Sequence, residues 1–193
     1  MQGLRRCITS VHKKNMQLTM MEEGRRDYSE ISDLIRIATQ KLPVPFRKTH
    51  EMISNSRQSK AYIPRLSIVA KCDGMVVGHV ALMKAYMRET KCDKTCLVMV
   101  SHYVLPQLQE KGVGNALMES IHLRAKAIDY KCITLMGDAE YYQRFGYVVS
   151  ADLSVAVPPD GILLQPLIKE LVPGSMINIK GEVDLPKAYG FTT

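Results

Sequence analysis

The sequence predicts a mixed α/β (α+β) domain, a mostly antiparallel central sheet with one parallel strand pair and helices against its faces. Three observations carry this. Asp73-Gly74 stands between two apolar runs rich in β-branched residues, the strongest short hairpin signal in the chain. A further run of this kind, Val98–Val104, leads through a glycine-bearing loop and a helical stretch to the short apolar run Cys132–Met136, and a strand–helix–strand crossover lays its two strands in parallel. Ile31, Leu34, Ile35 and Ala38 recur at helical spacing behind Asp27-Tyr28-Ser29-Glu30, which has capping-box form.

The elements follow in order. Residues 1–15 are basic and weakly patterned, and read as an N-terminal extension ahead of a single domain over 16–193. Met16–Met21 is expected to be the first strand, ending at Glu22-Glu23-Gly24. The first helix is expected over Tyr28–Gln40; Pro43 and Pro45 break it, and Lys48–Asn55 offers a second, short helix carrying His50 and Glu51. The hairpin strands are Leu66–Cys72 and Met75–Met83, and the charged Tyr86–Lys94 reads as a loop. A helix from near Val113 to about Asp129 puts Val113, Ala116, Leu117, Ile121, Ala125 and Ile128 on one face. Gly137–Tyr147 reads as a short helix stopped by Gly146 and leading into a strand. Leu153–Val157, the apolar Ile162–Leu171 and a final strand near Met176–Ile179 complete the chain.

Composition closes off several classes of function. The 193 residues, 46% hydrophobic and 23% charged, suit one globular domain with a real core, and no apolar run approaches the ~18–20 residues a membrane span needs. The net charge of +7 is compatible with nucleic acid, but the N-terminal basic residues have no interleaved aromatics and no DNA- or RNA-binding motif is present, so nucleic acid is not the expected partner. Five scattered cysteines make no disulfide framework and point to a reducing compartment, the cytoplasm. Cys92 and Cys96 lack a second Cys/His pair, so no metal is expected.

The chemistry concentrates after Val104. Gly112 and Gly114 let backbone amides approach a ligand with no Cβ in the way, and the N-terminus of the following helix adds unpaired N–H donors. Lys111 stands at the mouth, and no Asp or Glu occurs from Gly112 to Met118, where a carboxylate would ordinarily complement the helix dipole. The missing acid implies that a ligand supplies the anion, and phosphate fits. Two familiar phosphate loops are excluded: Asn115-Ala116 stands where the nucleotide P-loop needs Lys-Ser/Thr, and Leu117 where the dinucleotide fingerprint needs Gly or Ala.

What fits is Gln109-Glu110-Lys111-Gly112-Val113-Gly114, a Q-x-x-G-x-G pattern preceded by V-x-P at Val104-Leu105-Pro106. It resembles the acetyl-CoA loop of the GNAT superfamily of N-acetyltransferases. The segment Tyr142-Gln143-Arg144-Phe145-Gly146-Tyr147 resembles that superfamily's Y-x-x-x-G-F motif, with Tyr147 for the usual Phe. Element order agrees from about Leu18 to Pro186, and GDAEYYQRFGY and ELVPG look like a bacterial subgroup.

The resemblance implies the acyl-CoA N-acyltransferase fold, with the sheet splayed at its parallel pair, and transfer of acetyl from acetyl-CoA to a primary amine by direct attack. It implies that the amides from Gln109 through Glu110, Lys111, Gly112, Val113 and Gly114, with Asn115 beside them, hold the pyrophosphate. Backbone groups near Tyr103, Val104 and Leu105 would pair with pantetheine, and Val104 would polarise the acetyl oxygen. Tyr142 would protonate the leaving thiolate. For the base that deprotonates the amine, His102, His79, Glu51 and His50 are the candidates, and His102 leads because it shares a strand face with Val104. The acceptor, a small-molecule or peptide amine, stays open, as does a homodimer through sheet edges. A non-catalytic acyl-CoA-binding regulatory module is the alternative, since one scaffold hosts many functions.

Overall fold

The computed structural model describes residues 17–40, 46–88, 94–149, 153–155, 165–175 and 181–189. The proposed basic extension, Cys7, Cys92 and the strand expected near Met176–Ile179 fall outside them. In chain order the elements are β1 Leu18–Glu22, α1 Tyr28–Ala38, α2 Phe46–Gln58, β2 Tyr62–Cys72, β3 Met75–Arg88, β4 Lys94–Val104, α3 Val113–Ala127, β5 Cys132–Gly137, α4 Ala139–Gln143, β6 Val148–Val149, β7 Leu153–Val155, β8 Gln165–Glu170 and β9 Gly181–Asp184. The sheet runs β1-β2-β3-β4-β5-β8-β6; β9 pairs with β3, and β7 with β9. Of the pairs along the main sheet, only β4–β5 is parallel.

The hairpin turns at Asp73 and Gly74, both at positive φ, as an Asp-Gly turn demands. Its second strand outruns the expectation: Tyr86–Arg88, read as loop, stays in the sheet because β9 pairs with these residues where β2 no longer reaches. The expected capping box at α1 is not made. The Asp27 carboxylate accepts from the Gly24 N–H at 2.8 Å and pairs with Lys71 at 2.6 Å, while Glu30 accepts from the Val76 N–H at 2.9 Å. Both acids serve tertiary contacts. Cys72 is disulfide-bonded, while Cys96 and Cys132 are thiols.

The two faces of the sheet are covered differently. A Cβ on Gly78 would meet Leu117 and Val113 of α3 at 2.8 and 3.1 Å, so that face belongs to α3, whose Val113, Leu117, Met118, Ile121 and Ala125 are buried. His79, the next residue, points to the opposite face. There its Nε2 lies 3.1 Å from Glu23, and Arg57 of α2 holds the same carboxylate through two 3.0 Å hydrogen bonds. Tyr62 donates to Glu23 at 2.7 Å, and the Arg57 guanidinium stacks 3.9 Å from the Tyr28 ring. Burial alone would push the Glu23 carboxyl up, but hydrogen bonds from His79 and Arg57, with the charge of the guanidinium, oppose it and hold it below the ordinary range. A depressed folded-state pKa contributes stability that is present above the unfolded value, about 4.3, and lost as pH falls below it. Glu23→Gln should therefore lower Tm at neutral pH and flatten its decline between about pH 4.3 and 2, as read by thermal melts across pH.

Candidate active site

Two breaks in the sheet's regularity make the site. The first is a bulge in β4: Ala81 faces Ser101 but Leu82 faces Met99, so Val100 is an extra residue. The second lies between β4 and β5, which pair only at Leu97–Ile133 and Val98–Thr134. Beyond these residues β4 continues to Val104 against β3, and β5 to Gly137 against β8, with no ladder between them. The sheet therefore splays into a V, closed at Val98 and open towards Val104 and Gly137.

Adjacent residues of β4 serve opposite faces. His102 and Val104 face the α3 side, opposite Val80 and Gly78; Ser101 and Tyr103 face the α2 side, opposite Ala81 and His79. The Leu105 N–H is not available to a ligand, because it donates to the Val77 carbonyl at 3.0 Å. Strand alternation then turns the N–H and C=O of Val104 away from β3, into the V. The Gln109 side-chain amide approaches the Val104 carbonyl at 3.5 Å.

At the V's open end lies the glycine loop. Gly112 adopts φ 85°, caps α3 without a side chain, and has nothing within 4 Å of the position a Cβ would take. Glu110 also has positive φ, 60°, so the turn from Gln109 to Gly112 is tightly wound. The first turn of α3 holds no acid, and its leading N–H groups have no intrahelical partner. Lys111 and Asn115 are exposed beside it. Gly114 is required by packing: a Cβ would come 2.9 Å from the Tyr141 hydroxyl and 3.6 Å from His102 Nε2. The cradle suits a diphosphate.

Tyr142 bridges the V. Its ring lies against Gly137, where an added Cβ would be 2.6 Å away, and its hydroxyl is 3.2 Å from His102 Nδ1 on β4. The helix that carries it starts at Asp138, whose side chain accepts from the Glu140 N–H at 3.0 Å. Burial raises the Tyr142 hydroxyl above its usual value, so it stays protonated. Burial pulls His102 down to about 4, against the Gly114 backbone, which favours its charged form, so the imidazole is neutral; its Nε2 has no hydrogen-bond partner. His102, Tyr103, Tyr141 and Tyr142 nevertheless keep partial exposure, as residues lining a cleft do.

The other base candidates part company. Glu51 is exposed and pairs with Arg47 at 3.0 Å on the outside of α2, and His50 packs on Phe46 with centroids 5.4 Å apart. His79 is fully buried behind β4, with Nδ1 2.7 Å from Ser101 Oγ. Sequence reading missed Ser101, Glu23 and Arg57, since no local pattern unites residues so far apart. It also missed the buried Tyr189, whose hydroxyl donates to the Met99 carbonyl at 3.4 Å, just before the bulge. Tyr147, buried where the superfamily motif has Phe, places its hydroxyl 3.1 Å from His122 Nε2. Among the described residues no group of three or more His, Cys, Asp or Glu could hold a metal ion, and no helix is long and apolar enough to cross a membrane.

Comparison with known proteins agrees with this geometry. Residues 64–149, which hold the hairpin, the V, the glycine loop and Tyr142, match the model of the acetyltransferase (GNAT) domain. An uncharacterised N-acetyltransferase of Escherichia coli K12, YjhQ, is 24% identical over 121 residues, 63% of this chain and 66% of the relative, just under two thirds of the latter's length. The crystal structure of the Escherichia coli GNAT family N-acetyltransferase YhbS in complex with CoA superposes with a TM-score of 0.78 at 19% identity, covering 92% of this chain and 94% of that one. A GNAT family acetyltransferase from Brucella melitensis, in complex with acetyl-CoA, does so at 0.71 and 24% identity over 90% and 99% of the two chains. With its splayed sheet, bulged fourth strand and glycine loop, the chain has the fold of the GNAT acetyltransferases, and its residues 64–149 match the GNAT acetyltransferase domain.

Proposed function

We propose that the chain transfers the acetyl group of acetyl-CoA to a primary amine of a small molecule or peptide, by direct attack while both substrates are bound. The observation that carries this is the V between β4 and β5, with an acid-free, glycine-capped helix N-terminus at its open end and Tyr142 across it. The amides of Gln109 to Gly114 would take the pyrophosphate, with Lys111 adding charge and Asn115 a polar side chain. Pantetheine would lie along the unpaired edge of β4 at Val104, whose N–H would meet the acetyl oxygen as negative charge develops there, while the backbone N–H and C=O of Tyr103 face β3 and take no part. The Leu105 N–H, already bonded to Val77, has no part in this.

A pKa raised above the usual 10 makes full proton transfer from Tyr142 to a thiolate of pKa near 8.5 unfavourable. Its O–H instead donates a hydrogen bond to the sulfur as charge builds. His102, neutral and 3.2 Å away, then serves best as donor through Nδ1–H to the tyrosine oxygen, which leaves the tyrosine proton free for sulfur. His102 thus positions Tyr142, and its place on the α3 face does not suit it to deprotonate the amine. This paired arrangement favours turnover over the regulatory alternative. Calorimetric titration of the full chain with acetyl-CoA should show saturable binding, and acetyl-CoA mixed with a panel of primary amines should release free thiol faster with the protein than without it. Absence of binding at low salt by the folded chain would overturn the reading; binding without thiol release for any amine would favour the regulatory module.

A further inference from the structure

Resting on that reading, we propose that Ser101 and His79 form the outlet for the amine proton, with Glu23 orienting the imidazole. The groups converge from four parts of the chain. Ser101 Oγ lies 2.7 Å from His79 Nδ1, and His79 Nε2 lies 3.1 Å from Glu23 Oε2 and 3.2 Å from Ser67 Oγ. Arg57 and Tyr62 fix the Glu23 carboxylate from the far side. His79, Glu23 and Ser101 are all nearly excluded from solvent.

Chemistry assigns the protons. The Glu23 carboxylate is held in its charged form and can only accept, so His79 Nε2 carries a hydrogen. In the neutral ring Nδ1 is then a bare acceptor, and the Ser101 hydroxyl donates to it. The serine oxygen keeps its lone pairs for a further donor. Such a donor would come from the α2 face, because the bulge at Val100 sets Ser101 and Tyr103 on that face and His102 and Val104 on the other. Cofactor loop and Tyr142 occupy the α3 side, which leaves the α2 side for the amine, with the half-exposed Tyr103 beside the route to Ser101.

In the step itself, the amine nitrogen bonds to the thioester carbon and the C–S bond breaks. The ammonium proton passes through bridging water to Ser101 Oγ as the serine proton passes to His79 Nδ1. The imidazolium rests against Glu23, and the thiolate leaves under the Tyr142 hydrogen bond. Neighbouring residues of one strand thereby serve the two ends of the reaction: Ser101 takes charge from the nucleophile, and His102 steadies the group that meets the leaving sulfur. The ionisable groups around His79 are Glu23 at the end of β1, Arg57 of α2, Tyr62 of β2, His102 of β4, and, beyond Arg57 and Glu23, Tyr28 and the Asp27–Lys71 pair.

The test is nitrogen-15 NMR of the full chain with labelled histidine, alone and with acetyl-CoA, with the His79 signals identified by their loss in His79→Gln. The expected result at pH 7.5 is neutral His79 with hydrogen on Nε2 and a bare, hydrogen-bonded Nδ1. Hydrogen on Nδ1 in the neutral ring, or a doubly protonated ring from pH 6.5 to 8.5, would overturn the proposal, since neither can take the serine proton. Kinetics give the second arm, with glycinamide as amine probe. Ser101→Ala should lower kcat about 100-fold and leave KM for acetyl-CoA unchanged, and Ser101→Thr should restore most of the rate. Wild-type kcat in Ser101→Ala would sink it. A chain that fails to bind acetyl-CoA contradicts the acetyl-transfer reading instead, and leaves the tautomer of His79 to be read.

Discussion

Gly112→Asp/Gly114→Asp is expected to abolish measurable acetyl-CoA binding. The effect has two sources. Two carboxylates would stand at the site proposed for the diphosphate, and each unit-charge repulsion near 4 Å is worth about 4 kcal/mol at the effective dielectric of a protein surface. Even half of one such term, about 2 kcal/mol, is a more than tenfold loss, and together they exceed about 100-fold. Sterics add to this: Gly112 sits at φ 85°, where an L side chain is strained, and a Cβ at position 114 would press to 2.9 Å from the Tyr141 hydroxyl. Calorimetric titration of parent and variant with acetyl-CoA, beside circular dichroism to establish that the variant is folded, measures the loss. A folded variant that binds as tightly as the parent would mean that the cofactor phosphates lie elsewhere.

Tyr142→Phe should reduce kcat roughly 10- to 100-fold, with KM for acetyl-CoA little changed. The size follows from what the hydroxyl does. A hydrogen bond to a charged group is worth about 1.5–3 kcal/mol, and here the charge appears only as sulfur departs, so the loss falls on kcat. The thiol is acidic enough to leave without help, and the enzyme should slow without falling silent. Removing the hydroxyl also leaves His102 Nδ1 without its partner, in a ring whose Nε2 already has none. Single-turnover thiol release with glycinamide as the acceptor separates this from slow product release. An unchanged kcat would reduce Tyr142 to a packing residue.

Much of this protein is legible locally. The Asp73-Gly74 turn, the helix stop at Gly146 and the glycine-bearing start of α3 each depend on φ values that few residues adopt, and all three stand where their residues indicate, with φ of 48°, 79°, 81° and 85° at Asp73, Gly74, Gly146 and Gly112. The hydrophobic period of α3 and the crossover to Cys132 likewise determine the parallel pair, because a helix of that length on one face returns the chain beside its starting strand. The glycine loop and the tyrosine are visible for the same reason: their chemistry is written in contiguous residues.

Tertiary structure decided the rest. The capping form at Asp27–Glu30 was outcompeted by Lys71 and the Val76 N–H, distant groups whose pairing no local pattern contains. Tyr86–Arg88 became strand because β9 supplied a partner from nearly a hundred residues later. Above all, a one-residue bulge at Val100 determines which face each residue of β4 presents, and periodicity alone does not announce a bulge. It sends Ser101 to His79 and Glu23 and His102 to Tyr142, and so separates two histidines that the sequence offers as rivals for one role into partners of different groups on opposite faces of one strand.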